Sequence, residues 1–541
     1  MTLKHSLLVA GCLLAALGLT ACGNSKSATN QQKVLNWSET MPLSTQDPSL
    51  ATDTTSFQGL LNTGDGLYRL DRHNHPKLAL AKQVKVSNDS KTYDFTLRSN
   101  AKWSNGTPLT AKDFVYAYRR TLTPKTKSAM AFYLYQIKNA QAINTGKKQP
   151  SSLGVTAISK THLRIELTRP LSYFKILLSW PLFFPQNQKF IQKSGSLYGT
   201  QSRYTISSGP YVLTKWTGNN KSWTLVKNKH YWDAKQVRLT KVNEQVSEST
   251  TTSYNLFQAG KVDATQLSGQ QVAANKHQAG YHKRLASAIQ RLELNQNKVK
   301  AFANLKIRQA FSYAINRNQL ANNVLKDGSV PAKGFVPSGM GTNPQTGAEF
   351  QNDAYVKNAT AYDLTRAKQL LQAGYKEADI HSIKVTLLVS DTDAAKQTGE
   401  FLQSQLDRLP GVDISIQSLP YTQLIQRQSA GNYELTVKNW QAVFADPINF
   451  LDVYESGSSY LNNGWHNAKF DHLLDLAENH YGSQPAKRWQ QLVAAEKVLM
   501  NTQGTIPLIQ VAKPQLLRTK VQNVSFNPTG VPYDFKTVTL K

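Results

Sequence analysis

Apolar positions along the chain recur with two periods, two residues in some stretches and 3.6 in others. "YDFTLR" (93–98) alternates apolar and polar side chains, as a strand buried on one face must, and Asn105-Gly106 then marks a turn. "TPLTAKDFVYAYRRTL" changes the period. Thr110 and Asp113 have capping-box spacing, and Phe114, Ala117 and Tyr118 fall on one helical face. "WTLVKNKHYWD" (223–233) reads as a strand running into an aromatic-rich turn, and "NLKIRQAFSYAINR" (304–317) as a helix burying Ile307, Ala310, Phe311 and Ala314.

The most regular succession lies further on. Asp363 is placed to cap a helix over "LTRAKQLLQA", which Gly374 is expected to close. "IKVTLLV" (383–389), "VDISIQSL" (412–419) and "YELTVKNW" (433–440) read as strands, separated by the helical "DAAKQTGEFLQSQLDRL" and "TQLIQRQSA". That β-α-β-α-β order predicts parallel strands joined by crossover helices. It also puts "NWQAVFADPINFLD" (439–452) at the C-terminal end of a strand, where open α/β sheets place their ligands. No charged side chain stands between Trp440 and Asp446, in a chain of formal net charge +29.

Composition bounds the class. The 541 residues suggest about three to four domains of ordinary size. With 40% hydrophobic and 18% charged residues the chain is globular, and it has no low-complexity tract or tandem repeat. The excess of bases is scattered, its densest runs being Arg119-Arg120 and Lys147-Lys148, with no recognition-helix or zinc-finger pattern. Nucleic acid is therefore not an expected partner, and anionic wall polymers or lipid headgroups fit the charge better.

The first residues bear on compartment. After a short basic start, Leu7 to Leu19 form an apolar run too short to span a bilayer, ending in Leu19-Thr20-Ala21-Cys22-Gly23. This resembles the bacterial lipobox, which implies a lipoprotein signal peptide over 1–21 and a diacylated Cys22. Residues 22–33, polar and small, read as a flexible tether. Cys12 would leave with the signal, so no disulfide and no cysteine metal cluster is expected. No later segment is long and apolar enough to cross a membrane, so the expected place is the extracytoplasmic face of the membrane, of a Gram-positive cell surface.

Catalytic signatures are missing. There is no His-Glu-x-x-His, Gly-x-Ser-x-Gly, phosphate loop or dinucleotide fingerprint. Ser172-Tyr173-Phe174-Lys175 matches Ser-x-x-Lys without the further elements that pattern needs. His73 and His75 lie in a polar turn with no further metal ligand to name. The chain reads as a binder, with no enzyme activity, cofactor or metal.

Four stretches, in order, carry a family resemblance. The segments 67–124 ("LYRLDRHNHPK" through "DFVYAYRRTLTP"), "SSGPYVLTKWTGNNKSWTLVKNKHYWD", "FANLKIRQAFSYAINRNQLANNVL" and "FADPINFLDVYESGSSYLNNGWHNAKFDHLLDLA" resemble the blocks of extracellular solute-binding proteins of the oligopeptide and dipeptide class, family 5. The resemblance implies an α/β, two-lobed periplasmic-binding-protein-like fold (type II, large cluster) with a hinge and an extra inserted domain. Residues 34–59, 206–290 and 506–541 would form the discontinuous hinge lobe, 60–205 the inserted domain and 291–505 the second ligand-binding lobe. It further implies a monomeric receptor that binds peptides between its lobes and hands them to the permease subunits of an ABC importer. A receptor for a non-peptide solute or a peptide pheromone, or an exported chaperone or adhesin, are the competing readings.

By the same resemblance, Asn439 and Gln441, flanking Trp440, offer backbone groups to the ligand. Thr52 and Thr54 would face it from an opposite strand edge. In the resembled peptide receptors an aspartate three residues after the tryptophan holds the ligand's α-ammonium group; here Val443 stands in its place. Asp446 belongs to the Asp-Pro turn, where the family has a structural acid, unless a three-residue shift moves it into the amine role. The substitution suggests a receptor that does not select a free N-terminus, the alternative being that another acid reaches the amine.

Overall fold

The computed structural model describes residues 33–541, which form one compact unit. The expected signal peptide, Cys22 and all but the last residue of the expected tether lie outside the described residues.

Two four-stranded sheets precede the predicted parallel one in the chain. The first is ordered Val34–Glu39, Lys241–Val246, Ser222–Lys227, Tyr211–Thr214, its first pair parallel and the others antiparallel. Leu35, Trp37, Trp223, Leu225 and Val242 alternate onto its inner face, where Tyr533 and Phe535 of the C-terminal segment close the core. Helix α1 (Thr54–Thr63) is capped by Asp53, whose carboxylate accepts from the Ser56 N–H at 2.8 Å. The second sheet is the antiparallel Ala81–Val86, Thr92–Leu97, His162–Glu166, Val155–Ala157. Helix α2 (Ala111–Leu122) starts where the capping spacing predicts, with Asp113 Oδ2 accepting from the Thr110 N–H at 2.7 Å.

The largest sheet is organised by two long antiparallel strands, β1 (Tyr281–Leu294) and β5 (Ile506–Leu517). Between β1 and β5 in the chain come helices α3 (Leu305–Ala314) and α4 (Leu364–Ala378), then β2 (Ile383–Ser390), α5 (Asp393–Leu406), β3 (Val412–Leu419), α6 (Tyr421–Ser429) and β4 (Leu435–Gln441). The strand order is Ala264–Gln266, β5, β1, β4, β2, β3, with Val330–Pro331 also pairing β5. β2 is parallel to both β3 and β4, as the alternation predicts, while β4 is antiparallel to β1. The β1–β5 register breaks between Leu285 and Ile289. There the Gln510 side chain donates to the Ala286 carbonyl at 3.0 Å, and the Ser287 N–H turns away to Pro528.

One helix boundary differs from expectation. Asp363 caps α4 as predicted, but Gly374 does not close it: the helix runs to Ala378 and ends at Asp379, in the left-handed region at φ 51°. Gly374 serves packing instead. A Cβ there would come within 2.6 Å of Ile307 Cγ1 on α3, so only glycine lets the two helices approach this closely.

Several carboxyls are buried in this framework. Glu39 accepts from Gln58 Nε2 and Glu244 from Trp223 Nε1. Burial, and then the mutual repulsion of the two, pushes Glu39 well up; burial pushes Glu244 up to about 8. Glu496, which accepts the Phe335 N–H at 2.6 Å, is pushed by burial up to about 7. Raised carboxyls hold protons in the folded state that the unfolded chain has released, so their contribution is complete below about pH 4.5 and is lost as pH rises to about 8. The melting temperature is therefore expected to fall by several degrees between pH 5.5 and 8, and Glu244→Gln should flatten the upper part of that slope. Thermal unfolding followed by circular dichroism checks both; a melting temperature rising over that range would refute the assignment.

Candidate ligand cleft

Strand β4 supplies an open backbone edge. β2 pairs with it only at Leu435 and Thr436, and among the described residues no strand continues along that side. On the other side, β1 stays paired to Gln441. Which residues turn outward follows from the contacts at the two ends: the Glu434 carbonyl accepts from Asn295, and the Ala442 N–H donates to Ser287, both on the β1 strand's path. Even-numbered residues thus face β1, and odd-numbered ones face away. The Val437 carbonyl, which faces away, is taken by the Gln428 side chain at 3.0 Å. The N–H and C=O of Asn439 and Gln441 lie on the open side with both side chains exposed.

The turn that follows is held rigid. Trp440 is half-buried: its Nε1 donates to the Asn449 carbonyl at 2.6 Å and its ring meets Tyr460 edge-on at 4.8 Å. The Val443 N–H donates to Asn449 Oδ1 at 2.7 Å. Gly530, at φ 58°, donates to the Ala442 carbonyl, and a Cβ on it would lie 2.6 Å from the Val443 carbonyl. The Val443 side chain lines a narrow, largely apolar cavity with Leu61, Ile176, Trp180, Phe444 and Val531.

Asp446 takes no part in that cavity. It is buried and receives both Nη atoms of Arg488 at 2.9 Å. Arg488 also donates to Glu478 at 2.6 Å, and Glu478 accepts from Arg169 at 2.8 Å. Burial opposes the charge on Asp446 and the Arg488 guanidinium favours it, leaving its carboxyl above the ordinary range. Its reading as a structural acid fits this geometry, and the alternative amine role does not.

The segment expected to form the opposite strand edge is not a strand. Thr52 lies in an extended loop before the Asp53 cap, and Thr54 is the first residue of α1, because the Asp53 carboxylate captures the Ser56 N–H and starts a helix. Both threonines nevertheless line a cavity of about 500 Å³ with Glu39, Gln58, Lys513 and Gln515. Lys513, its charge disfavoured by burial, donates to Gln441 Oε1 at 3.4 Å and so connects this wall to the end of β4. Thr52, Thr54 and Gln441 therefore meet around Lys513, while Val443 lines a separate cavity. Glu39, Lys513 and Gln515 escaped sequence reasoning: they come from strands Val34–Glu39 and Ile506–Leu517, far apart in the chain, and no local pattern marks them.

The carboxyls at these two cavities are committed elsewhere. Glu39 is pushed toward its neutral form, Asp53 caps α1, and Asp534 is held charged against Arg69 at 2.6 Å. Asp452, beyond the Asp-Pro turn, is pushed up to about 8, first by burial and then by Glu478, Glu455 and Asp446.

A mixed α/β fold built on two long antiparallel strands, with one strand left open along part of its edge, is that of the solute-binding proteins of the two-lobed α/β class. The chain belongs to the bacterial extracellular solute-binding proteins, family 5, whose model matches residues 75–462. It is 34% identical to the dipeptide-binding protein of Lactococcus lactis subsp. cremoris (strain MG1363), over 98% of each chain. It is 31% identical to the dipeptide-binding protein DppE of Bacillus subtilis (strain 168), covering 97% of this chain and 96% of the other. A solved structure of Listeria monocytogenes OppA bound to peptide matches with a TM-score of 0.77 and 33% identity, over 94% of this chain and 99% of that one. The family is one of extracellular solute binding rather than catalysis, as the sequence implies.

Among the described residues Arg488 is the one cation bonded to both Asp446 and Glu478, so its removal would leave two buried carboxyls short of a partner. Arg488→Met is expected to cost about 3–5 kcal/mol of unfolding free energy. Urea denaturation measures it, and a loss below about 1 kcal/mol would show that water or Arg169 replaces the contact.

Proposed function

We propose that the chain is an extracytoplasmic receptor that binds peptides between its lobes and delivers them to the permease subunits of an ABC importer. The observation that carries this reading is the open edge at Asn439 and Gln441. An extended peptide laid along it gains main-chain hydrogen bonds that do not depend on its sequence. The cavity bearing Thr52 and Thr54 gives its side chains room, with water to adapt the fit. The dipeptide-binding names of the two relatives, and the peptide bound to Listeria OppA, support the same ligand class for this chain. The lobe boundaries at 34–59, 206–290 and 506–541, at 60–205 and at 291–505 fit the break in the β1–β5 ladder as a hinge. The lipobox-like stretch ending at Cys22 supports a lipid anchor on the extracytoplasmic face of the cell membrane, and the Lactococcus and Bacillus relatives support a Gram-positive cell surface; we take the receptor to act as a monomer.

This receptor does not select a free peptide N-terminus. Val443 stands in an apolar wall, and the carboxyls at the two cavities are neutralised, capped or paired. An ammonium group placed against Val443 would lose the partner that an aspartate supplies, worth roughly 2–5 kcal/mol. N-blocked peptides, longer peptides whose ends lie outside, or peptides with an apolar first residue suit this wall.

Calorimetry with five- to ten-residue peptides, free and N-acetylated, tests the reading. Both pools are expected to bind alike, or the acetylated pool better, and Val443→Asp should shift preference toward free amines by at least about tenfold. Binding of the free pool alone would overturn the amine assignment and leave the receptor standing; binding of neither pool would overturn the receptor. X-ray scattering separates lobe closure from a chaperone or adhesin role, since only a closing receptor becomes more compact with peptide.

A further inference from the structure

A concentration of unpaired charge lies away from the cleft, in a concavity of about 920 Å³ beside the N-terminal end of α2. Five of its fifteen lining residues are Lys or Arg, against 63 of 541 in the whole chain, so the enrichment goes beyond the general basicity. They are Lys112, Lys160, Lys189, Lys193 and Arg203, all exposed, and none forms an ion pair among the described residues. The one acid lining it, Asp113, is spent: its Oδ2 accepts from Thr110 N–H and Oγ1 at 2.7 and 3.0 Å, and burial raises its pKa.

The walls are fixed relative to one another. The Ala111 N–H donates to the Lys160 carbonyl at 2.9 Å, tying the start of α2 to the turn before His162–Glu166. The Gln186 N–H donates to the Asp113 carbonyl at 3.2 Å, which anchors the segment leading into the helix Gln188–Ser194 that carries Lys189 and Lys193. Mutual repulsion among cations on tied elements is unfavourable until an anion enters, and a concave site strengthens their combined field.

We propose that this concavity docks a linear phosphodiester polyanion without bases. A single phosphate would meet only part of a site this size, whereas a chain with phosphates at short intervals engages cations on every wall. A flat bilayer touches the rim of a concavity and leaves its depth unused. Single-stranded nucleic acid needs exposed aromatic faces for base stacking. Here Phe190 packs edge-on against Tyr198 at 6.3 Å, and Arg203 covers Tyr204 at 4.9 Å. The site shares no lining residue with either cleft cavity, so it is separate from the peptide cleft.

The test is titration of the full chain with poly(glycerol phosphate), beside inorganic phosphate, phosphatidylglycerol vesicles and oligothymidylate. The variant Lys112→Gln/Lys160→Gln/Lys189→Gln/Lys193→Gln is compared with a charge-matched control, Lys125→Gln/Lys147→Gln/Lys276→Gln/Lys396→Gln, which removes exposed lysines outside the concavity. The site variant should lose at least about tenfold in affinity for the polymer and flatten its salt dependence, and the control less than about twofold. Should the quadruple variant unfold, Lys189→Glu/Lys193→Glu replaces it, with the same loss expected and melting temperature as the fold check. Equal losses in site variant and control would overturn the proposal in favour of diffuse charge. Tighter binding to vesicles or oligothymidylate, or phosphate binding as tight as the polymer's, would overturn it in favour of that other ligand.

Discussion

The site rests on a strand that is paired on one side and abandoned on the other. Every buried N–H and C=O needs a partner, and a sheet interior normally supplies one. β4 keeps β1 along its whole length but parts from β2 after Thr436, so the outward groups of Asn439 and Gln441 are left for solvent or a guest. Open edges invite pairing with another chain, and proteins usually cover them. Here the edge stands beside Lys513 and the cavity that holds the two threonines, so access is limited to a ligand that can enter.

That arrangement needs stiff surroundings. The turn after β4 is held by Asn449, by Gly530 and by the buried Asp446–Arg488–Glu478 cluster, with Arg169 reaching Glu478 from a distant part of the chain. Phe444 stacks on Tyr173 at 4.7 Å in the same region. A comparable cluster ties other remote segments: Arg69 holds Asp534 and Asp65, and Asp65 accepts from Tyr231 and Trp232. Buried ion pairs of this kind add little net stability, since desolvation offsets the attraction. What they supply is position, because each charge tolerates few arrangements of its partners.

A basic chain with an apolar ligand wall is a coherent combination. Apart from a few buried arginines such as Arg69 and Arg488, the cations lie outward, where water carries their hydration cost, and one cluster of them lines the concavity beside α2. Within the cleft, burial drives Lys513 and Glu39 toward their neutral forms, so the interior is less charged than its residue types suggest.

Much of this was legible from residue order. The periods of two and 3.6, the Thr110 and Asp363 caps and the alternation that makes β2, β3 and β4 parallel all arise from contacts within a few residues. Asn439 and Gln441 were placed by family resemblance, and it was the distant partners Asn295 and Ser287 that fixed which way their backbone groups turn. Tertiary structure decided the rest. It extended α4 through Gly374, because what that glycine answers to is Ile307 on another helix, and it made Thr54 the start of a helix, where a strand edge was expected. It gave Asp446 to Arg488, 42 residues away, and it brought Lys513 against Gln441. Local sequence sets which backbone conformations are cheap; which charge meets which, and which edge stays open, depends on how distant segments share one interior.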